Sequence, residues 1–188
     1  MSDLTPLTGE PLALDLVNTR PALGDLLATP DDLRAWLVLR ADRFPEAREL
    51  AAATFTDADL AAVRAVREHV TRAVEHARHA VPPPAGDLEA LNQAQRDAPA
   101  ISELGWNGAA VTATRRRTGS AVARLGAWLA EAAAGLLADP AVVKVRQCEA
   151  DDCVLLFLPA HPRRRWCSAT RCGNRTRVAR HYQRHKTP

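Results

Sequence analysis

The chain has 188 residues, 47% hydrophobic and 25% charged, with 25 Lys+Arg against 22 Asp+Glu and a net charge of +3. With a slightly negative mean hydropathy, these figures exclude wholesale disorder and fit one ordinary domain, with or without a small appendage. No run approaches the ~18 apolar residues of a spanning helix and no basic-then-apolar leader opens the sequence, so a soluble cytoplasmic protein is expected.

The first feature is Leu12-Ala13-Leu14-Asp15-Leu16-Val17-Asn18-Thr19, where an Asp and an Asn sit among apolar residues. Two readings stand. Asp15 and Asn18 belong to a buried first element and cap neighbouring backbone groups, or they are polar points in an apolar ligand pocket. Thr29-Pro30-Asp31-Asp32 starts a helix, with a capping threonine, proline at the first position and acids at the dipole's positive end. A short helix follows from Pro45 to Ala53. Thr56 caps the longest one, over about 56–80, whose Leu60, Val63, Val66, Val70, Val74 and Ala77 keep a 3–4 period. Pro82-Pro83-Pro84 forms the next loop, and Asp87 caps a helix that closes before Pro99.

Residues 101–106 and 109–114 are strand-like and flank Asn107-Gly108, the signal for a tight type I′ hairpin. Helical spacing returns at Ser120 and runs through Val122, Leu125, Leu129, Ala132 and Leu136 until Pro140. His69, His76 and His79 lie on the long helix, where they read as solvated residues without an acidic partner set for a metal. No glycine-rich phosphate loop, nucleophile elbow or His-Glu-x-x-His is present. Nothing marks an enzyme.

Charge divides the chain. From Cys153 to Pro188 there are nine basic residues and no acid; residues 1–152 hold 16 basic and 22 acidic residues, a balance of −6. A +9 tail on an acidic body points to a polyanion partner. Only Lys144 and Lys186 are lysine, and the arginine bias, with the many alanines, also fits a GC-rich bacterial genome. All four cysteines, Cys148-x4-Cys153-x13-Cys167-x4-Cys172, sit in or beside the tail. Two close pairs around a short loop suit one tetrahedral structural Zn2+, with all four thiolates as ligands and no position left for a catalytic water. Val142–Gln147 and Val154–Leu158 read as strands of a hairpin crossing the first pair. The second pair leads into a basic helix, with Asn174 as its cap. On that helix Val178, Ala179 and Tyr182 form a packing side, and Arg177, Arg180 and Arg184 lie opposite. With Arg163, Arg164 and Arg165 they are the candidate nucleic-acid contacts. The plain alternative is a solvated basic face. The helix has too little apolar surface to enter a membrane.

Arg164-Arg165-Trp166-Cys167-Ser168-Ala169-Thr170-Arg171-Cys172-Gly173-Asn174-Arg175 resembles the signature of the CGNR zinc finger. Leu14-Asp15-Leu16-Val17-Asn18-Thr19 is similar to the Leu-Asp-Phe-x-Asn-Thr motif of the α-rich ABATE domain that usually precedes that finger. Leu16 stands for the usual phenylalanine, and Leu156 to Pro162 lack the acidic residue the family tends to place after Phe. The resemblance implies a bacterial, stress-linked transcription regulator whose finger binds DNA.

The expectation is therefore an α+β protein. An α-rich domain with a small hairpin sheet occupies residues 1–140, possible sensor of a small-molecule effector through a pocket near Asp15, Asn18 and Trp106. A four-cysteine zinc finger of hairpin plus basic helix occupies 141–188. The alternative is a small-molecule-binding or enzymatic body with the finger as a structural or protein/RNA adaptor. A homodimer would suit a palindromic operator, but no heptad or apolar seam is visible in the sequence.

Overall fold

A computed structural model describes residues 9–178. Among these residues six α-helices precede the cysteine region: α1 Leu12–Val17, α2 Pro30–Val38, α3 Pro45–Leu50, α4 Asp57–Arg78, α5 Ala85–Asp97 and α6 Ala121–Ala138. Antiparallel strands β1 Ala100–Trp106 and β2 Val111–Arg117 stand between α5 and α6. A 3-10 turn, Pro140–Lys144, leads to a second antiparallel pair, β3 Arg146–Gln147 and β4 Leu156–Phe157. A wide helical turn, Ala169–Gly173, continues as helix over 174–178.

Local chemistry sets the boundaries. Thr29 and Thr56 each accept from the backbone N–H three residues on, and Asp32 and Asp59 return a bond to the cap: two complete capping boxes. Ser120 caps α6 by accepting from the Ala123 N–H. The α5 start differs from the expected one. The helix begins at Ala85 behind Pro84 without a side-chain cap. Asp87 lies buried in the first turn, where its carboxylate accepts from Arg72 and meets His69 Nδ1 at 2.8 Å. That charge pairing outcompetes a capping role.

The hairpin loop also departs from a two-residue turn. Only Gly108 has positive φ in it, so the I′ geometry is not formed. Instead Asn107 to Ala110 make a four-residue loop, in which Asn107 Oδ1 accepts from the Ala109 and Ala110 N–H groups. Of the stretch 142–147 read as strand, only Arg146–Gln147 is strand; 142–144 belong to the 3-10 turn, because Asp139 caps Ala141 at 2.7 Å with Pro140 at the first position.

α4, α5 and α6 pack on one another, and α1 lies across α4 and α6. Leu14, Leu16, Trp36, Leu37, Val63, Val70, Leu125 and Leu129 fill the core. α6 is long and apolar enough by length and mean composition to cross a membrane, although Arg124 and Glu131 interrupt its apolar run. Here its apolar surface faces the other helices. The core does not end at residue 140: Val142, Val145 and Leu156 belong to it.

Candidate metal centre and its seam with the body

The first cysteine pair sits at the end of the short β3–β4 hairpin. Cys148 donates its N–H to Leu155 O, and Cys153 donates to Ala150 O, closing a tight turn. Asp152 provides the bend with φ +62°, a left-handed conformation that Asp tolerates better than most residues. The second pair is built differently. Ser168 accepts from the Arg171 N–H and caps the wide turn that contains Cys172. The expected cap, Asn174, has helical backbone angles instead, because the helix has already begun five residues earlier. Gly173 donates to Ser168 O at 2.9 Å, and a Cβ there would lie 3.3 Å from the Trp166 ring. Trp166 thus packs beside the cysteines, where only a glycine fits comfortably.

The four Sγ atoms lie within 4.8 Å of one another. Three edges are 3.9, 3.6 and 3.7 Å, for Cys153–Cys167, Cys167–Cys172 and Cys172–Cys153. Ligands ~2.3 Å from a tetrahedral zinc stand ~3.8 Å apart, so the donor set has the size of a Zn(Cys)4 site. Cys148 also accepts a 3.3 Å bond from the Cys167 N–H. Hydrogen bonds from Cys153 and Cys167 hold the Cys148 thiol down to about 2. The hydrogen bond with Cys148 pushes Cys153 up to about 11, and Cys167 is raised by its bonds with Cys148 and Cys153. Four sulfurs this close become thiolates together only around a cation, and these cysteines hold one structural zinc. Arg175 donates to Asp151 O at 2.9 Å and approaches Cys172 Sγ at 4.0 Å, so it braces the first knuckle against the second.

The centre is fixed to the helical body by the N-terminal motif. Asn18 Nδ2 donates to Leu156 O and Asn18 Oδ1 accepts from the Leu156 N–H, both at 2.8 Å. Its amide serves as a third strand's peptide group beside β4. Glu10 Oε2 accepts from the Leu158 N–H at 2.9 Å, and Oε1 accepts from Arg164 at 2.5 Å. Arg164 also donates to Cys167 O and Trp166 O, and its guanidinium lies 4.4 Å from the Phe157 ring centroid. Asp15 fixes Glu10 in turn: it accepts from the Glu10 N–H and from Arg43 at 2.9 Å, while Arg43 donates to Glu10 O. Burial raises the Asp15 carboxyl to about 6 against the pull of Arg40 and Arg43. Thr19 accepts from Arg67, which is paired with Asp25.

Asp15 and Asn18 are both below 5% exposure. Asp15 meets the nearby Glu10 N–H, as the capping reading has it, whereas Asn18 caps the distant Leu156 and not a neighbouring group. Trp106 is 67% exposed at the hairpin tip. The polar atoms of Asp15 and Asn18 are engaged within the fold, and Trp106 faces solvent. His69, His76 and His79 contact Asp87, Arg72 O and Glu75.

The expected nucleic-acid arginines separate. Arg163 is exposed, and its side chain has no partner among the described residues. Arg165 is exposed and pairs with Glu149. Arg177 is exposed and reaches Ala169 O at 3.5 Å. Arg164 is turned inward as the tie just described. Arg180 and Arg184 lie outside the described residues, as do Ala179 and Tyr182; Val178, expected to pack, is 46% exposed. Sequence reasoning missed Glu10, which lies 154 positions from Arg164 with no local pattern to flag it. It also missed Arg146, which donates to Pro162 O at 3.1 Å and so lies beside Arg163.

Two family models match the chain. Residues 10–140 match ABATE, described as "Putative stress-induced transcription regulator". Residues 144–185 match the CGNR zinc finger. A search of curated proteins finds no match.

Proposed function

Because the chain belongs to the ABATE family and carries a CGNR zinc finger, we propose that it is a zinc-dependent DNA-binding transcriptional regulator. In this reading residues 1–140 are a sensing body and 141–188 the DNA-reading finger. The observation that carries it is the acid-free +9 stretch after Asp152, which contains three of the four clustered zinc cysteines. Neither matched family is an enzyme family, and the chain is read as non-catalytic.

Arg163, Arg165, Arg177, Arg180 and Arg184 contact phosphates in this reading, with Arg146 beside Arg163. Arg164 is withdrawn from the contact set, because its guanidinium is occupied by Glu10 and two carbonyls. The acidic body repels DNA and directs contact through the finger. A small effector bound to the body would act on the finger through the Glu10 and Asn18 contacts. RNA is disfavoured by the scarcity of aromatic side chains in the finger for stacking.

The test is a salt titration of DNA binding by the zinc-loaded chain, followed by site selection from genomic fragments. Five phosphate contacts give log K against log salt a slope near about −4.5. Binding that is independent of salt, or absent, refutes the reading. One enriched site would give the sequence preference and half-site spacing.

A further inference from the structure

Asn107-Gly108 sits in the loop that joins β1 to β2, and both residues are exposed. The amide carbon of an asparagine is an electrophile, close enough to the next residue's backbone nitrogen for a small ring to form between them. A side chain on that next residue crowds the approach, and glycine has none. The chain has four asparagines, and only Asn107 precedes a glycine; Asn18, Asn92 and Asn174 precede Thr19, Gln93 and Arg175. Asn18 is buried with its amide bonded to Leu156. Asn92 and Asn174 have helical backbone, which does not turn to close such a ring.

The loop adds two features. Asn107 Oδ1 accepts from the N–H groups of Ala109 at 3.0 Å and Ala110 at 2.9 Å. Two donors on one carbonyl oxygen draw charge from Cγ and stabilise the negative charge that an attack places on Oδ1, as in an oxyanion hole. The Gly108 N–H has no hydrogen-bond partner among the described residues, and the space beside Gly108 is open, so solvent base reaches its proton.

We propose that Asn107 is a self-modification site, whose amide converts to aspartate and isoaspartate without an enzyme. Solvent base removes the Gly108 amide proton, and the nitrogen attacks Asn107 Cγ. A C–N bond forms while Oδ1 takes the charge. The Cγ–Nδ2 bond then breaks, and Nδ2 leaves as ammonia with a proton from water. The resulting succinimide takes up water and opens. Cleavage at Cγ gives aspartate; cleavage at the Asn107 backbone carbonyl gives isoaspartate, whose main chain runs through the side chain. No electrons are transferred, and water is the sole co-reactant. Either product puts a negative charge on the loop. Isoaspartate also lengthens the main chain inside the ring closed by the bond from the Asn107 N–H to Ala110 O at 3.2 Å, beside the Trp106–Val111 pair. The modification does not depend on the DNA reading.

Peptide mapping by mass spectrometry tests it, on the full zinc-loaded chain aged in mildly alkaline buffer. The peptide holding residue 107 should split into aspartyl and isoaspartyl forms with release of ammonia, while Asn18, Asn92 and Asn174 stay amides. The rate should rise with pH, because the attacking nitrogen must first lose its proton. The chain unfolded in urea keeps the Asn-Gly pair but loses the two donors to Oδ1, so the folded chain should react at least as fast. Gly108→Ala should slow the reaction by about tenfold, equivalent to about 1.4 kcal/mol on the barrier. Asn107 that keeps its amide as long as Asn92 overturns the proposal. So does a folded chain that reacts more slowly than the unfolded one, or a Gly108→Ala variant that reacts as fast as the parent.

Discussion

Asn18 and Leu156 lie 138 positions apart and exchange two 2.8 Å hydrogen bonds inside the protein. One side-chain amide satisfies both backbone groups of a strand residue that has lost its neighbour at the sheet edge. Through this bond pair, the N-terminal helix and the zinc-bearing hairpin become parts of one packing unit. Glu10 repeats the device on Leu158 and Arg164.

Asn18→Ala should leave a buried N–H and a buried carbonyl at Leu156 without partners. The expected loss is about 2–4 kcal/mol, since each orphaned group costs ~1–3. Asn18→Asp should do no better, because it keeps the acceptor for the N–H but faces a carboxylate toward a carbonyl. Urea unfolding with the zinc retained measures both.

Removing the metal should weaken the body as well as the finger. Leu156, Val142 and Val145 belong to the main core, so a finger that unfolds withdraws them and frees Asn18. With a chelator, or with Cys153→Ser, zinc should fall from one per chain to none, and Tm should drop by roughly 5–10 °C. A body melting at the same temperature with and without zinc would mean the seam adds nothing.

Ala80→Gly should stabilise the protein by about 1 kcal/mol. Ala80 follows His79, the C-cap of α4, with φ +55°, while Val81 donates to His76 O and Ala80 to Ala77 O. This Schellman arrangement places a left-handed residue where glycine has no Cβ penalty. Thermal unfolding of the two chains side by side is sufficient.

Gly173→Ala sets two effects against each other. Alanine gains up to ~1 kcal/mol of helix propensity, and its Cβ presses on the Trp166 ring at 3.3 Å. The change should be within about 1 kcal/mol of neutral. Gly173→Val adds bulk without that gain, and zinc affinity measured by competition with a chromophoric chelator should fall.

Acid should expose the Asp87 pair. The side-chain bond from Arg72, with His69 adding to it, holds the Asp87 carboxyl down from 3.8 to about 2. A carboxylate with a lowered folded value adds stability above its unfolded value and loses it as pH falls toward the folded one. The stability difference between the parent and Asp87→Asn should therefore shrink by about 2 kcal/mol between pH 4 and pH 2. Zinc release in acid is common to both chains and cancels in the difference.

Helix starts at Thr29, Thr56 and Ser120, the hairpin after Pro99 and the four-cysteine site were legible in the sequence, because each depends on residues a few positions apart. Capping boxes, strand alternation and paired cysteines are local signals. The partners of Glu10, Asn18 and Arg164 were not legible, since hydrogen bonds across 138 and 154 positions leave no periodic trace. Residue type alone left Asp15 and Asn18 between caps and pocket, and Arg164 between a phosphate contact and a solvated face. Burial decided the first two, since a polar group removed from water must find its partner within the fold; the third was decided by Glu10, which the fold brings to Arg164.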